Sequence, residues 1–80
     1  MPHIAVKWYK GRNEEEKQAF AEAILKTAVS VTGRGAEHFS VTIEDYDKEE
    51  WIDKVYNPEI AGKEDKLYVR PGYGSLAEDK

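Results

Sequence analysis

The sequence predicts an α/β fold of the β-α-β type, in which one long helix joins two parallel strands. Three observations support this: an alternating apolar stretch near the amino terminus, a long helix signal, and a second alternating stretch after it. A helix between two strands is typical of a right-handed crossover, which makes the strands parallel. In this interpretation residues 1–80 form a single domain, with residues 72–80 as a mobile tail.

The first strand is predicted over residues 3–9. Ile4, Val6 and Trp8 occupy one side of this stretch, and its other residues occupy the opposite side. This period of two is typical of a strand that is buried on one face. Residues 10–12, which include a glycine, end the pattern.

The helix is predicted to begin after Asn13, which is a favourable N-cap. Glu16 stands where it can complete a capping box, and the glutamates at 14–16 suit the positive end of the helix dipole. An apolar stripe follows at helical spacing: Phe20, Ile24, Ala28 and Val31. Residues 33–35, with two glycines, end a helix of about five turns.

A second strand is predicted where Phe39, Val41 and Ile43 alternate with polar residues. The pattern is weaker beyond Glu44. Residues 45–50, four of which are acidic, are interpreted as a solvated loop. Residues 51–55 are interpreted as a short turn of helix, and Asn57-Pro58 as the start of a new segment. Residues 70–72 carry a turn signal before the tail.

Composition excludes several classes of protein. Twelve basic residues are scattered among sixteen acidic ones, for a net charge of −4, so the basic patch of a nucleic-acid-binding protein is missing. No segment approaches the roughly 20 apolar residues of a membrane span, and no signal peptide is evident, so we expect a cytoplasmic protein without membrane attachment. The two histidines lack metal-ligand spacing, so we expect no metal site.

The predicted domain is small, so its hydrophobic core alone gives it only marginal stability. A chain of this length buries only about 60% of the surface that its unfolded form exposes, and there is no cysteine to form a disulfide. A sheet of two strands also leaves unpaired edges. We therefore expect a homodimer in which the sheet extends to four strands, with a larger oligomer as the alternative.

Pro2 is the first candidate for chemistry. Removal of Met1 would make Pro2 the amino terminus, and its nitrogen would then be a basic secondary amine rather than an amide. Such an amine can accept and return a proton near neutral pH if burial or nearby positive charge disfavours its cation. If Met1 is retained, this base does not exist.

The chain resembles the tautomerase superfamily, and within it the 4-oxalocrotonate tautomerase group. The resemblance rests on four motifs in order: Met1-Pro2-His3-Ile4, Gly11-Arg12, Ser40-Val41-Thr42-Ile43-Glu44 and Trp51. The ending Arg70-Pro71-Gly72-Tyr73 is similar to that of a dimeric bacterial subgroup that resembles phenylpyruvate tautomerase. The resemblance thus covers most of the chain.

The resemblance implies an isomerase that interconverts the enol and keto forms of 2-oxo acids, such as phenylenolpyruvate, with no metal, nucleotide or organic cofactor. Pro2 would be the catalytic base, and Arg12 would bind the substrate carboxylate. Trp51 would line the pocket. The alternatives are that Arg12 is a surface residue of a loop and that Trp51 is a core or interface tryptophan, a role that is compatible with lining the pocket.

One chain cannot bring Pro2 and Arg12 to the same small substrate. An extended stretch over residues 3–9 places them about 25 Å or more apart, so Arg12 is expected from a neighbouring subunit. Ser40 occupies the position of a second arginine in 4-oxalocrotonate tautomerase, so a monocarboxylate with an apolar or aromatic body is expected as substrate. Arg70, Tyr73 or backbone N–H groups are the candidates to stabilise the enolate oxygen, and Ser40 remains a possible site residue.

A second function is compatible with the same fold. The chain would then be a catalytically silent dimeric module that binds a small ligand or has a structural role. Two observations favour it: Ser40 replaces an arginine, and Met1 precedes the residue that must be the base. The physical identity of the amino terminus therefore decides between an enzyme and a silent module.

Overall fold

A computed structural model of the protein describes residues 1–77. The chain divides into two compact units, Met1–Tyr46 and the part from Asp47 onward, and each is described by itself. The prediction of one domain over residues 1–80 stays a prediction.

The first unit has the predicted β-α-β order. Strand β1 spans His3–Tyr9, helix α1 spans Glu14–Thr32 and strand β2 spans Ser40–Tyr46, with a 3-10 turn at Ala36–His38. The two strands are parallel neighbours, in a register that runs from His3 opposite Ser40 to Tyr9 opposite Tyr46. The predicted fold class is therefore confirmed within this unit, and the extension of the sheet across a dimer stays a prediction.

Local hydrogen bonds fix both ends of α1. The Asn13 side chain accepts a hydrogen bond from the Glu16 N–H at 2.8 Å, and the Glu16 carboxylate accepts one from the Asn13 N–H at 3.0 Å. This is the predicted capping box, which satisfies two amide groups that a helix start leaves unpaired. At the other end Gly33 has a φ of 74°, and its N–H donates to the Val29 carbonyl. A left-handed glycine at this position is a common helix terminus.

Helix α1 lies on the face of the sheet that carries Ile4, Val6 and Trp8. The rings of Trp8 and Phe20 contact each other with centroids 5.1 Å apart. No residue of Met1–Tyr46, all of which the structure describes, is fully buried. Phe20 remains 43% exposed and Val31 79% exposed. This unit therefore leaves much of its apolar surface exposed in the single chain.

The second unit is largely helical. A 3-10 turn at Lys48–Glu50 leads into a π-helix at Ile52–Ile60, which is followed by a 3-10 helix at Ala61–Lys66 and a short helix α2 at Gly74–Ala77. The prediction that Pro58 begins a new segment is wrong, because the π-helix continues through it. A proline ring clashes with the carbonyl four residues earlier in an α-helix, and the wider π-helical turn relieves this contact.

The prediction of a solvated loop over residues 45–50 is also wrong, because both ends of this stretch have regular structure. Asp45 and Tyr46 are the last residues of β2, where they pair with Trp8 and Tyr9. Lys48–Glu50 form the 3-10 turn that precedes the π-helix. Charged side chains at the end of a strand are compatible with pairing when they have partners on the neighbouring elements.

The core of the second unit consists of four buried residues: Trp51, Val55, Tyr56 and Leu76. This packing differs from the mobile tail predicted for residues 72–80. Residues 74–77 form a helical turn, and Leu76 is only 4% exposed because its apolar side chain joins this core. Residues 78–80 lie outside the described part of the chain. No helix within residues 1–77 is both long enough and apolar enough to cross a membrane.

Candidate functional site

Pro2 lies immediately before β1 and is exposed. Its carbonyl accepts a hydrogen bond from the Ser40 N–H at 3.3 Å, so the two residues stand together where both parallel strands begin. Met1 is 96% exposed. While Met1 is attached, the Pro2 nitrogen is an amide. Removal of Met1 would expose an amine at this end of the sheet.

His3 connects the residues around Ser40. Its Nδ1 atom lies 2.7 Å from the Ser40 hydroxyl, and its Nε2 atom lies 3.4 Å from the Thr42 hydroxyl. The imidazole therefore bridges two side chains of β2 on the face of the sheet away from α1. From the sequence we expected no metal-binding role for His3, and its contact here orients the Ser40 hydroxyl.

Arg12 lies at the other end of β1, in the loop before α1. Its guanidinium stacks over the Trp8 ring, 4.3 Å from the ring centroid. The Trp8 Nε1–H donates to the Asp45 Oδ1 atom at 2.7 Å, and the Asp45 Oδ2 atom forms an ion pair with Lys17. Lys17 also pairs with Glu14 at 3.3 Å. Two strands and a helix thus contribute one connected group of side chains.

The charges in this group shift the pKa values of two members. The hydrogen bond from Lys17, followed by the one from Trp8, lowers the pKa of the Asp45 carboxyl. The same bond to Asp45 raises the pKa of the Lys17 ammonium. In both cases the contacts stabilise the charged form, so Asp45 and Lys17 remain ionised at neutral pH.

The structure does not bring Pro2 and Arg12 together within one chain. Pro2 precedes β1, whereas Arg12 stacks on Trp8, near the other end of this seven-residue strand. At about 3.3 Å per residue, Pro2 and Trp8 are separated by about 20 Å of extended chain. A small substrate cannot span this distance.

Trp51 and Tyr73 belong to the second unit and contact each other. The buried Trp51 donates from its Nε1–H to the Tyr73 hydroxyl at 2.8 Å. Trp51 is therefore a core tryptophan, which is the alternative role that its sequence position left open, and a place in the pocket wall stays a prediction. The Tyr73 hydroxyl accepts this bond with its oxygen, so its own proton can serve another acceptor.

Arg70 forms two hydrogen bonds within the second unit. Its Nη1 atom donates to the Glu64 carboxylate at 2.9 Å, and its Nη2 atom donates to the Leu76 carbonyl at 3.4 Å. Both side chains of the ion pair are about half exposed, at 47% and 49%. A role for Arg70 in stabilising an enolate would require it to exchange the Glu64 carboxylate for the substrate.

A family model described as "Tautomerase enzyme" matches residues 2–55 of the chain. The chain belongs to the tautomerase family. Its resemblance to this family is thereby confirmed, and the protein is an isomerase. The family match begins at Pro2 and not at Met1.

Individual relatives agree with this assignment. A probable tautomerase of Xylella fastidiosa is 40% identical over 96% of this chain and 94% of the relative. Tautomerase PptA of Pectobacterium atrosepticum is 36% identical over 91% of this chain and 97% of the relative. The crystal structure of YwhB, a homologue of 4-oxalocrotonate tautomerase, matches with a TM-score of 0.57 and 32% identity, over 59% of this chain and 77% of that chain.

Sequence reasoning missed three residues of the group around Arg12 in this tautomerase. Trp8 was assigned to the apolar face of β1 and Asp45 to a loop, and Lys17 was given no role. One signal could have found Asp45, because it continues the period of two set by Val41 and Ile43. A parallel register with an offset of 37 residues, as from His3 to Ser40, then places Asp45 opposite Trp8.

Within residues 1–77 of the tautomerase, no group of three or more His, Asp or Glu side chains is placed to hold a metal ion. The side chains around Arg12 and Ser40 offer hydrogen-bond donors and a guanidinium.

Proposed function

We propose that this tautomerase interconverts the enol and keto forms of 2-oxo monocarboxylic acids with an apolar or aromatic body, such as phenylenolpyruvate. The observation that carries the proposal is that the family match begins at Pro2, which lies exposed at the start of β1. Removal of Met1 then gives the protein a basic amine at the end of a defined strand.

Pro2 is the base and the proton carrier in this proposal. The neutral amine removes the proton from the enol hydroxyl, the carbonyl forms at C2, and the electron pair of the C2=C3 double bond becomes available at C3. The resulting proline ammonium returns a proton to C3, which completes the 2-oxo acid and restores the neutral amine. The proton count is the same before and after, so no second reactant is needed.

Arg12 binds the substrate carboxylate in this proposal, and it comes from a neighbouring subunit. A planar guanidinium fits a carboxylate with two parallel hydrogen bonds. Its stacking on Trp8 uses the face of the guanidinium, which leaves the N–H groups of its edge to bind an anion. The separation of Pro2 and Arg12 along β1 supports a site that is shared between chains.

The homodimer is part of the same proposal. The absence of any fully buried residue in Met1–Tyr46 and the exposure of Phe20 and Val31 support a second copy that covers this unit. Extension of the two-stranded sheet to four strands would also pair one edge of each copy. Trp51 is proposed to line the pocket of the assembled site and to exclude water from it.

One arginine for each site favours a monocarboxylate. Ser40, which stands beside Pro2, presents a hydroxyl where a second arginine would bind another polar end of the substrate. We assign the stabilisation of the enolate oxygen to the Ser40 hydroxyl, with the Tyr73 hydroxyl as the alternative. A neutral donor of this kind contributes less than a guanidinium would, because hydrogen bonds to charged groups are stronger.

The experiment compares three proteins, each with an amino terminus verified by intact mass. The first begins at Pro2, the second carries Pro2→Ala, and the third retains one added residue before Pro2. The third protein keeps every side chain and converts the amine into an amide. Conversion of phenylenolpyruvate to phenylpyruvate should be well above buffer in the first protein and about a hundredfold or more lower in the other two.

Two results would contradict the proposal. Equal rates in the first and third proteins would remove Pro2 as the base, whatever the Pro2→Ala variant shows. No acceleration by the first protein would overturn the proposed substrate, and saturable binding of phenylpyruvate without turnover would then support the silent ligand-binding module.

A further inference from the structure

We propose that Trp8 and Asp45 are positioning residues that hold Arg12 in the orientation in which it binds the substrate carboxylate. This inference rests on the proposed function, in which Arg12 is the carboxylate-binding residue. It assigns a role to side chains that neither the motifs nor the resemblance identified.

The guanidinium of Arg12 stacks on the ring of Trp8. Arg12 follows Gly11, whose φ of 136° is open to glycine but rarely to other residues. The guanidinium lies over the Trp8 ring, 4.3 Å from the ring centroid. An arginine loses rotamer freedom when it binds an anion, and a stack that orders the side chain beforehand reduces this loss.

Trp8 is itself held in place by two contacts. Its Nε1–H donates to the Asp45 Oδ1 atom at 2.7 Å, and the two residues face each other in the register of the sheet. The Phe20 ring contacts the indole with centroids 5.1 Å apart and an angle of 39° between the planes. The indole therefore has one fixed edge and one packed side, and Arg12 rests on a defined surface.

The Asp45 carboxylate has partners other than Arg12. One oxygen of the Asp45 carboxylate binds Trp8, and the other forms the ion pair with Lys17. Each oxygen thus has another partner, and the charge of Arg12 contributes less to the lowered pKa of Asp45 than the hydrogen bonds from Lys17 and Trp8 do. This leaves the edge of the guanidinium to an incoming carboxylate. Lys17 also offsets the negative charge of Asp45, which would otherwise repel an anionic substrate.

The experiment measures KM and kcat for phenylenolpyruvate in Arg12→Ala, Trp8→Leu, Trp8→Phe and the double variant Arg12→Ala/Trp8→Leu. Arg12→Ala should raise KM about tenfold or more, and Trp8→Leu should raise it about 3- to 10-fold with little change in kcat. Trp8→Phe keeps an aromatic face and should give a smaller increase. In the double variant, Trp8→Leu should add nothing to Arg12→Ala, because the two residues act as one unit.

A neutral substrate separates positioning from a general structural role. The methyl ester of the same enol lacks the carboxylate, so Trp8→Leu should leave its KM unchanged. A variant with a damaged fold would show altered kinetics with both substrates. If Trp8→Leu does not fold, Trp8→Phe carries the same comparison, since it retains an apolar ring against Phe20.

Asp45 is tested by a matched pair of variants. Both Asp45→Asn and Asp45→Ala remove the negative charge, but only the asparagine keeps an oxygen that can accept the Trp8 hydrogen bond. KM for the carboxylate substrate should therefore be about 2- to 5-fold higher in Asp45→Ala than in Asp45→Asn. Equal KM values would remove Asp45 from the proposal.

The outcomes distinguish the inference from the proposed function. An unchanged KM in Arg12→Ala would overturn the role of Arg12 itself. If Arg12→Ala raises KM, Arg12 stays in the site. Its positioning by Trp8 would be overturned if Trp8→Leu raised KM further in the double variant, or if it raised KM equally for the acid and its methyl ester.

Discussion

The Leu76 N–H donates a hydrogen bond to the Tyr56 hydroxyl across 3.0 Å in the core of the second unit. The same hydroxyl donates to the Tyr73 carbonyl, also at 3.0 Å. Tyr56 is 1% exposed, so water has almost no access to its side chain. A single hydroxyl thus satisfies two backbone groups and ties residues 73–76 to the π-helix.

Tyr56→Phe should destabilise the protein by about 1–3 kcal/mol, because it leaves the buried Leu76 N–H and the Tyr73 carbonyl without their partner. The measurement is urea unfolding followed by circular dichroism. Tyr68→Phe is the matched control, since Tyr68 is 99% exposed, and it should change the free energy of unfolding little. A similar small effect in both variants would show that the hydroxyl of Tyr56 has no such role.

Gly74→Ala should also destabilise the second unit. Gly74 has a φ of 76°, and a Cβ atom added there would overlap the ring and hydroxyl of Tyr56. Left-handed backbone strain together with this overlap should cost about 2 kcal/mol or more. Gly72→Ala is the control, because an added Cβ meets nothing within 4 Å there. Equal unfolding free energies for the two variants would contradict the packing of α2 on Tyr56.

The first unit could be predicted because its signals are local. Asn13 and Glu16 cap the helix through bonds that span three residues, and Gly33 ends it through a bond to Val29. The alternation of apolar residues along β1 needs only the period of a strand. Each of these features depends on neighbours in sequence, so the order strand, helix, strand follows from the chain itself.

The second unit and the details of the site depend on distant partners. The bond from Trp51 to Tyr73 joins residues 22 positions apart, and the bond from Trp8 to Asp45 joins residues 37 positions apart. No local pattern predicts the bond from Trp51 to Tyr73, and the period of two that places Asp45 in β2 does not by itself give the register that sets it opposite Trp8. The prediction that Pro58 begins a new segment was wrong for a different reason. The usual helix-breaking effect of proline assumes an α-helical turn, whereas the turn here is π-helical.

The ion pair between Asp45 and Lys17 predicts an acid-dependent stability. The pKa of Asp45 is lower in the folded state than its ordinary value of 3.8, so the pair stabilises the fold above that value and is lost as the pH falls below it. The difference in unfolding free energy between wild type and Asp45→Asn should be positive at neutral pH and should shrink between about pH 5 and pH 2. Asp65→Asn, at a side chain that is 80% exposed, controls for the loss of a charge. A difference that stays constant with pH would contradict the pairing.

Ser40→Arg should change the substrate preference. It restores a guanidinium beside Pro2, and charge-assisted hydrogen bonds to a second carboxylate should lower KM for the enol of a 2-oxo dicarboxylate about tenfold or more relative to phenylenolpyruvate. Ser40→Gln is the control, because it adds length without charge. The same gain in Ser40→Gln, or no gain in either variant, would show that the residue at this position does not select the substrate.

Complementation between two impaired variants tests whether the site is shared between subunits. In a dimer of one Pro2→Ala chain and one Arg12→Ala chain, a shared site unites the intact Pro2 of one subunit with the intact Arg12 of the other, whereas the second site lacks both. Random mixing makes about half of the dimers mixed, and each has one working site, so kcat/KM should recover to about one quarter of the wild-type value. The two variants are unfolded and refolded together, and each alone under the same procedure is the control. If Arg12 served the Pro2 of its own chain, every site in every mixed dimer would lack one residue and no recovery would occur. The roughly 20 Å of extended strand between Pro2 and Trp8 is the physical reason to expect recovery.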